Sequence, residues 1–171
     1  MSSLIETVSL WKAYRNGNTE VYALKDVNIS IEKGDYLSIV GSSGAGKTTL
    51  LNILGGLDIA TKGKVFFDSK DISGWGEKKL SLWRNRSIGF VFQFYHLIEE
   101  LTVLENIMLP SLLYRDAKTS SKEARKLLKY LSVEDKSHYF PSQLSGGEKQ
   151  KAAIARALIN EPAIVFCDEP T

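Results

Sequence analysis

The sequence predicts an α/β fold, in which a β-rich N-terminal part leads into alternating strands and helices. Short β-branched and aromatic runs fill residues 4–40, and turn residues at 16–18 and 33–35 separate them. Strand-like and helix-like runs then alternate, which favours a sheet with a parallel core. Between residues 93 and 145 the pattern becomes helical, because two Thr/Ser-x-x-Glu sequences each precede an apolar-periodic stretch. We therefore expect a helical insertion within one α/β domain.

Size and composition are those of an ordinary globular domain that buries a core. The chain has 171 residues, of which 43% are hydrophobic and 25% are charged. The net charge of +2 is too small to indicate a nucleic-acid partner. Cys167 is the single cysteine, which excludes an internal disulfide and fits a reducing compartment. With only His96 and His138 beside it, no structural zinc cluster is expected.

The sequence carries no signal for export or for crossing a membrane. Its N-terminus lacks the basic and apolar regions of a signal peptide. No apolar run approaches the ~18–20 residues of a membrane-spanning helix. We expect a soluble chain whose association with a membrane requires a partner.

The predicted elements up to residue 92 alternate in a regular order. They are strands at 8–14, 21–24, 27–31 and 35–40, a helix at 48–54, a strand at 63–68, a helix at 80–86 and a strand at 87–92. In the helical part, Thr102 and Ser120 are predicted N-caps, and Pro110 should end or kink the first of these helices. After Ser120 the apolar residues fall on one face, at 124, 127, 128 and 131. We interpret the lysines and arginines around them as a solvated face.

A phosphate-binding pattern, G-x-x-x-x-G-K-T, lies between the predicted strand at 35–40 and the helix at 48–54. With the threonine that follows, it consists of Gly41, Ser42, Ser43, Gly44, Ala45, Gly46, Lys47, Thr48 and Thr49. Glycines allow the backbone to curl so that its N–H groups face phosphate oxygens. Lys47 would bring a positive charge to the β- and γ-phosphates, and Thr48 would offer a hydroxyl to Mg²⁺. The flanking strand and helix argue against a glycine-rich turn that matches by accident.

A third capping box begins at Ser145 and opens a predicted helix over 149–160. The cap alone accounts for Ser145 and Glu148. It does not account for Gly146 and Gly147, since a glycine costs about 1 kcal/mol relative to alanine within a helical turn. Bare glycines at a helix N-terminus are useful where a phosphate must approach the backbone closely. The same residues can therefore be both a cap and an anion site.

Two carboxylates, Asp168 and Glu169, follow an apolar strand predicted at 163–167. Ligands of open α/β sheets gather at the carboxyl ends of the strands. Neighbouring strand residues point to opposite faces, so the two side chains should have separate tasks. We expect Asp168 to hold Mg²⁺, directly or through its water, and Glu169 to face the attacking water. A solvated turn is the alternative, and the phosphate-binding pattern argues against it.

Four segments, taken in order, resemble the motifs of the ATP-binding-cassette (ABC) ATPases: 41–48, Gln93, 144–150 and 168–171. The third is discriminating, because many nucleotide-binding families share the first and the carboxylate strand. The likeness extends from Leu10 to Thr171. Segments 51–58 and 89–98 are most similar to the ATPases of lipoprotein-releasing and macrolide-exporter transporters. The cell-division ATPase of the same group is also similar.

The resemblance implies a P-loop NTPase (RecA-like) core sheet with an N-terminal antiparallel β subdomain and an inserted helical subdomain. A single ABC ATPase domain would span 1–171, with the nucleotide-binding core at 1–93 and 157–171 and the helical subdomain, which carries the signature motif, at 94–156. Family members continue with an aspartate loop and a switch histidine, and neither His96 nor His138 is placed to be that histidine. We therefore expect a chain that is truncated at its C-terminus.

The resemblance also implies roles for individual residues. Tyr14 would stack on adenine, with Tyr22 as a rival. Gln93 would sense Mg²⁺ and the γ-phosphate, and Glu169 would be the general base. The implied residue sets are Glu169, Lys47 and Gln93 for catalysis, Thr48, Gln93 and Asp168 for Mg²⁺, and Ser145, Gly146 and Gly147 for the γ-phosphate held by a second copy. Two residues differ from the usual pattern, Lys151 in place of arginine and Cys167 in place of a small apolar residue.

The implied function is that of an ATP-hydrolysing transporter subunit, with ATP and Mg²⁺ as its cofactors. Its partners would be a second copy of the chain, across the nucleotide, and an integral-membrane permease. A short helix of the permease would enter a groove beside 94–100, on the cytoplasmic face of the membrane. One alternative is a nucleotide-binding fragment with little turnover. Another is a chromosome-maintenance or repair ATPase, which the lack of sustained heptads argues against.

Overall fold

The computed structural model describes residues 3–17 and 19–169, which cluster into two compact units, Met1–Leu82 and Trp83–Thr171. The boundary between the units falls inside a helix. The predicted turn residue Asn18, and Pro170 and Thr171 of the last motif, lie outside the described residues.

The first unit is built on an antiparallel sheet. Its strands are β1 (Ile5–Asn16), β2 (Thr19–Val27), β3 (Ser30–Ile31), β4 (Lys62–Phe67) and β5 (Lys70–Asp71). The order is β2-β1-β4-β5, and β3 also pairs with β1. Every pairing is antiparallel, which confirms the antiparallel N-terminal subdomain. The short strand β5 was not predicted, since two residues carry no periodic signal.

A bulge in β1 requires a glycine in the neighbouring strand. The pairing of β1 with β4 shifts register between Val8 and Trp11, and Ser9 within the bulge has a left-handed φ of 45°. Gly63 of β4 lies opposite, with a φ of 89°, and a Cβ at this position would lie 2.1 Å from the Ser9 carbonyl oxygen. Only glycine has both the conformation and the space. The bulge therefore fixes how β4 meets β1.

Helix α1 (Lys47–Leu54) follows the phosphate loop, which we define as residues 41–48. Its inner face buries Leu50, Ile53 and Leu54. Leu10 and Leu24, from the first two strands, are buried as well. The predicted helix at 48–54 is thus confirmed, one residue longer at its start.

The strand predicted at 35–40 does not form. Residues 35–40 have no regular secondary structure, and Tyr36 and Val40 are 99% and 90% exposed. The β-branched and aromatic residues of this segment favour a strand, but a strand also needs a neighbouring strand with which to form backbone hydrogen bonds. No other strand of the described residues pairs with this segment.

The second unit contains a parallel pair of strands, β6 (Ile88–Val91) and β7 (Ile164–Cys167). Helix α2 (Glu77–Ser87) leads into β6, and helix α5 (Gly146–Leu158) packs against β6. Phe90 pairs with Phe166 in register. The predicted parallel core is confirmed for these two strands.

Three helices enclose the hydrophobic core of the second unit: α3 (Val103–Met108), α4 (Ala117–Tyr130) and α5. Ile107, Ala124, Leu128 and Ala155 are fully buried in it. Helix α3 begins with the predicted capping box at Thr102 and ends before Pro110, which opens a 3-10 helix over Leu109–Leu113. Within the described residues, no helix has both the length and the apolar character needed to cross a bilayer.

The start of α4 differs from the prediction. Asp116, not Ser120, is the N-cap, because its carboxylate accepts a hydrogen bond of 2.9 Å from the backbone N–H of Thr119. Ser120 lies inside the helix and is buried. Aspartate is as good an N-cap as serine, so both starts are compatible with the sequence. The helix therefore begins about one turn earlier than the predicted cap at Ser120 implies.

Candidate functional site

The phosphate loop curls through two left-handed glycines. Gly44 has a φ of 77° and Gly46 a φ of 90°. A Cβ on Gly46 would lie 2.4 Å from the carbonyl oxygen of Ala23 and 3.2 Å from Leu24 Cδ2. Strand β2 therefore backs the loop so closely that no other residue fits at Gly46. The predicted need for glycines has a direct structural cause here.

Lys47 folds back over the loop that precedes it. Its Nζ donates to the carbonyl oxygens of Gly41 and Ser42, at 3.0 and 2.9 Å. The backbone N–H of Ala45 donates to the same Ser42 carbonyl at 3.2 Å. The ammonium group is thus held at the mouth of a loop whose residues 41–45 are exposed. An anion entering this loop would meet both the cation and the N-terminus of α1.

Tyr14 reaches the helix that follows the loop. Its hydroxyl donates to Asp58 Oδ2 at 2.9 Å and lies 3.4 Å from Thr49 Oγ1. The ammonium of Lys12 lies over the ring, 4.9 Å from its centroid. Tyr14 is 45% exposed, so it is not a core aromatic. The structure brings together two residues of the predicted nucleotide set, Tyr14 and Thr49.

The rival, Tyr22, faces the other way. Ala13 pairs directly with Tyr22, so Tyr22 lies on the face of the ladder that Tyr14 does not share. Its ring packs edge-on against Trp11, and its hydroxyl donates to Glu20. That hydrogen bond raises the pKa of Tyr22 above the ordinary value. Its ring and hydroxyl are therefore engaged away from the phosphate loop, which favours Tyr14.

Asp58 is held as a carboxylate by three donors. Partial burial acts to raise its pKa, but the hydrogen bonds from Lys12, the Ile59 N–H and Tyr14 outweigh burial and hold the pKa below the ordinary value. The Lys12 Nζ lies 2.6 Å from Asp58 Oδ1. Neither Lys12 nor Asp58 was predicted as a site residue, because their pairing spans 46 positions.

Gln93 and Glu169 meet beyond the ends of the parallel strands. The Gln93 amide donates to a Glu169 carboxylate oxygen at 2.9 Å. Glu169 is exposed and left-handed, with a φ of 48°. The Asp168 N–H donates to the Val91 carbonyl at 2.9 Å, which extends the ladder past β7. Polar side chains therefore meet at the strand ends, with Asp168 half-buried beside an exposed Glu169.

The turn at Ser145, Gly146 and Gly147, which we call the signature turn, is a complete capping box. Ser145 Oγ accepts from the Glu148 N–H, and the Glu148 carboxylate accepts from the Ser145 N–H at 2.8 Å. The pKa of Glu148 is lowered mainly by the hydrogen bond from the Ser145 backbone N–H, and next by the hydrogen bond from the Ser145 hydroxyl. Lys136 also lies 3.7 Å from that carboxylate. The cap is therefore confirmed.

Packing does not explain the glycine pair within that turn. Neither glycine has a positive φ, and a Cβ on Gly147 would meet no described atom within 4 Å. A Cβ on Gly146 would make an ordinary contact of 3.4 Å with the Tyr95 hydroxyl. Both positions would therefore accept alanine without strain. An open helix N-terminus with two bare glycines is suited to close approach of an anion.

Arg156 is a site residue that the sequence did not reveal. It projects from α5 and donates to the carbonyl oxygens of Tyr95, at 2.7 Å, and of His96. Tyr95 and His96 are both left-handed, with φ of 59° and 49°. Burial lowers the pKa of Arg156, but a guanidinium stays charged under these conditions. The guanidinium of Arg156 thus holds the loop at 93–98 against α5. The only sign in the sequence that Arg156 has a special role is that it is the single arginine of α5, among alanines.

The residues predicted for Mg²⁺ offer suitable atoms. Thr48 carries a hydroxyl, Gln93 an amide oxygen and Asp168 a carboxylate, all hard oxygen ligands. Within 3–17 and 19–169, no three His, Cys, Asp or Glu side chains form a metal cluster. Mg²⁺ at a polyphosphate needs only one or two protein ligands besides phosphates and waters. Each of the three side chains therefore carries an oxygen of the kind that this ion prefers.

Comparison with known proteins gives concordant results. A family model described as "ABC transporter" matches residues 24–171. An uncharacterized ABC transporter ATP-binding protein of Methanocaldococcus jannaschii is 46% identical over 98% of this chain and 75% of its own. The lipoprotein-releasing system ATP-binding protein LolD of Porphyromonas gingivalis is 49% identical, with the same coverage of 98% and 75%. The dimeric post-hydrolysis structure of the ATP-binding cassette MJ0796, bound to ADP and Pi, superposes with a TM-score of 0.92 at 41% identity, over 98% of this chain and 74% of that one.

Proposed function

The chain belongs to the ABC transporter family, and we propose that it couples Mg-ATP-driven dimerisation to the movement of a membrane permease. Members of this family are ATPases, and the fold here is that of an ATP-binding cassette. The observation that carries the proposal is the signature turn, where two glycines leave a helix N-terminus open without a packing reason. The rest of the site supplies the parts of a hydrolysis cycle.

ATP binding is proposed to begin at the phosphate loop. Lys47 lies at its mouth, and the N-terminus of α1 adds attraction for the phosphates. Tyr14 presents a partly exposed ring beside Thr49 of the same helix. We propose that adenine stacks on this ring while the loop holds the phosphates. One unit then contacts both ends of the nucleotide.

Hydrolysis is proposed to use Glu169 as the general base. Its carboxylate is exposed, and a positioned carboxylate can accept the proton of an attacking water. Gln93 donates through its amide nitrogen to Glu169, which leaves the amide oxygen for other partners. Bound Mg²⁺, for which Thr48, Gln93 and Asp168 are the proposed ligands, would neutralise charge on the phosphate oxygens.

Dimerisation is proposed to complete the site. The phosphate loop of one copy already supplies donors for one nucleotide, so the signature turn is free to bind the γ-phosphate held by a second copy. In this arrangement two chains face head to tail with ATP between them. The dimeric cassette MJ0796, solved with ADP and Pi, supports this proposal by its likeness of fold. Release of the γ-phosphate would then open the pair.

The permease is proposed to bind beside residues 94–100, which places the chain on the cytoplasmic face of the membrane. Phe94 is 75% exposed in this segment. Arg156 holds the same loop through the Tyr95 and His96 carbonyls. A movement of α5 would therefore be transmitted to the loop at 93–98, beside which the permease is proposed to bind. The similarity to LolD supports a permease partner only through membership of the same family.

The test is nucleotide-dependent dimerisation of the full-length protein. With Glu169→Gln to slow turnover, sedimentation should show a dimer in Mg-ATP and a monomer in Mg-ADP. Adding Ser145→Arg should block the dimer by steric overlap while ATP still binds the phosphate loop. Ser81→Arg, at an exposed position of α2, is the control of equal charge and size.

Two results would contradict the proposal. A dimer of the same stability in ADP would show that the γ-phosphate is not part of the interface. A dimer that is indifferent to Ser145→Arg would show that the glycine pair belongs to a helix cap alone.

A further inference from the structure

We propose that Asp58 and Lys12 are positioning residues for the nucleoside part of the bound nucleotide. Together they hold the ring of Tyr14 beside the helix that follows the phosphate loop. The inference rests on the adenine-stacking role proposed for Tyr14, and it extends that role to two residues that do not touch the nucleotide themselves.

The Asp58 carboxylate is the centre of the arrangement. Its Oδ2 accepts from the Tyr14 hydroxyl at 2.9 Å, and its Oδ1 accepts from Lys12 at 2.6 Å and from the Ile59 N–H at 2.7 Å. Lys12 also donates to the Ile59 carbonyl at 2.8 Å. Lys12 therefore has two hydrogen-bond partners and Asp58 has three, and neither side chain can turn away without losing all of them.

The position of the Tyr14 ring is fixed in two different ways. A carboxylate only accepts, so the single Tyr14 proton goes to Asp58, and the Thr49 hydroxyl, 3.4 Å away, can donate to the Tyr14 oxygen. These bonds fix the far end of the side chain. A hydroxyl on the ring axis does not fix the rotation of the ring about that axis. The Lys12 ammonium, 4.9 Å from the centroid, favours one orientation of the ring plane.

Burial distinguishes the ring from the residues that hold it. The Lys12 and Asp58 side chains are 12% and 29% exposed, whereas Tyr14 is 45% exposed. The charged pair is thus mostly covered, and the ring it holds is presented to solvent. A pre-oriented ring loses less rotamer freedom when a base stacks on it, and affinity rises accordingly.

The ligand class follows from this chemistry. Every nucleobase has a π-face, so a held aromatic ring discriminates poorly among bases. It does discriminate a nucleoside triphosphate from a bare polyphosphate. The quantity to measure is therefore the affinity for ATP relative to the affinity for inorganic tripolyphosphate, which occupies only the phosphate loop. If the Lys12–Asp58 ion pair only stabilised the contact between β1 and the residues after α1, its removal would not change this ratio.

The experiment uses calorimetry on the full-length protein with Mg-ATP and with Mg-tripolyphosphate. Asp58→Ala and Tyr14→Phe each remove the hydroxyl anchor, and each should weaken ATP binding roughly threefold to tenfold while tripolyphosphate binding stays unchanged. Lys12→Met should weaken ATP binding by a similar factor. Asp58→Asn keeps an oxygen for the Tyr14 hydroxyl but loses the charge for Lys12, so it should be the milder substitution.

A double variant tests whether Asp58 acts through Tyr14. In a Tyr14→Ala background, Asp58→Ala should have no further effect on the ratio. The matched control is Asp71→Ala, which removes the 3.1 Å ion pair with Lys64 elsewhere in the same unit and should leave the ratio unchanged.

The outcomes separate this inference from the role on which it rests. If Tyr14→Ala leaves the ratio unchanged, the adenine-stacking role itself is wrong. If Tyr14→Ala lowers the ratio but Asp58→Ala does not, the stacking role stands and the positioning role is overturned. Equal weakening of ATP and tripolyphosphate by Asp58→Ala would also overturn it, since that pattern indicates a general loss of structure.

Discussion

Gln93 and Glu169 occupy equivalent positions beyond two paired strands and are joined by a hydrogen bond of 2.9 Å. Val91 pairs with Cys167 in the parallel ladder, and each of the two polar residues stands two positions further along its own strand. The register of a buried strand pair therefore decides that this amide and this carboxylate meet. A slip of one residue would separate them. The site thus depends on the packing of Phe90 and Phe166 behind it.

Replacing Glu169 should separate binding from turnover. Glu169→Gln should still bind Mg-ATP but lose turnover by about 10²-fold or more, since an amide cannot accept the proton of the attacking water. Steady-state phosphate release, with affinity measured in parallel, checks this. Asp168→Asn should instead raise the Mg²⁺ concentration needed for binding roughly tenfold. Turnover at the parent rate in Glu169→Gln would exclude the general-base role.

Removing the loop cation should weaken nucleotide binding. Lys47→Ala removes the ammonium group that lies over Gly41 and Ser42, and ATP affinity should fall tenfold or more, about 1.4 kcal/mol per decade. Calorimetry measures the change. Lys33→Ala is a control for lost charge, because Lys33 is an exposed turn residue of the same unit. Equal affinities in the parent and Lys47→Ala proteins would refute the assignment of the phosphate loop.

Adding one methyl group to the signature turn should affect assembly without affecting folding. Gly147→Ala places its Cβ in space that no described atom occupies within 4 Å, and Gly74→Ala does the same at a site far along the sequence. Neither should lower the melting temperature. ATP-dependent dimerisation should weaken in Gly147→Ala alone, because the methyl group obstructs close approach of a phosphate. Identical sedimentation of the two variants would contradict the role of the turn.

Arg156 should be needed to keep the loop at 93–98 ordered. Arg156→Ala removes two charge-assisted hydrogen bonds to the Tyr95 and His96 carbonyls, each typically worth about 1.5–3 kcal/mol. Amide exchange in 93–98 should accelerate, while exchange in β1 should not. Arg156→Lys should restore only part of the protection, since an ammonium cannot reproduce a planar fork. Arg125→Ala, in α4, is the control, and equal acceleration in both would argue for general loosening.

Local chemistry could be predicted from the sequence more fully than distant contacts. The capping boxes at Thr102 and Ser145, the break at Pro110 and the turn at Gly46 each depend on a few neighbouring residues. The start of α4 could not be chosen, because Asp116 and Ser120 are both acceptable caps. In the structure Asp116 is the cap and Ser120 is buried inside the helix, and such burial cannot be deduced from neighbouring residues alone.

The residues that hold the site in place were not predictable in this way. Arg156 bonds carbonyls that are 60 and 61 positions away, and Asp58 bonds a tyrosine that is 44 positions away. Such pairings leave no periodic or spacing signal in a single sequence. The contact of Gln93 with Glu169 was not predicted either, because the rule that ligands gather at the carboxyl ends of strands indicates only an edge of the sheet.

The exposed segment at 35–40 has a consequence for how the protein behaves in solution. It has the length of a strand, four of its six residues are apolar or aromatic, and its backbone lies in no ladder within the described residues. Such a run is a template for edge-to-edge association and for aggregation. The resulting oligomers would grow with protein concentration and would be indifferent to nucleotide. A lysine in place of Val40 should make the protein more soluble by acting as a gatekeeper against that growth.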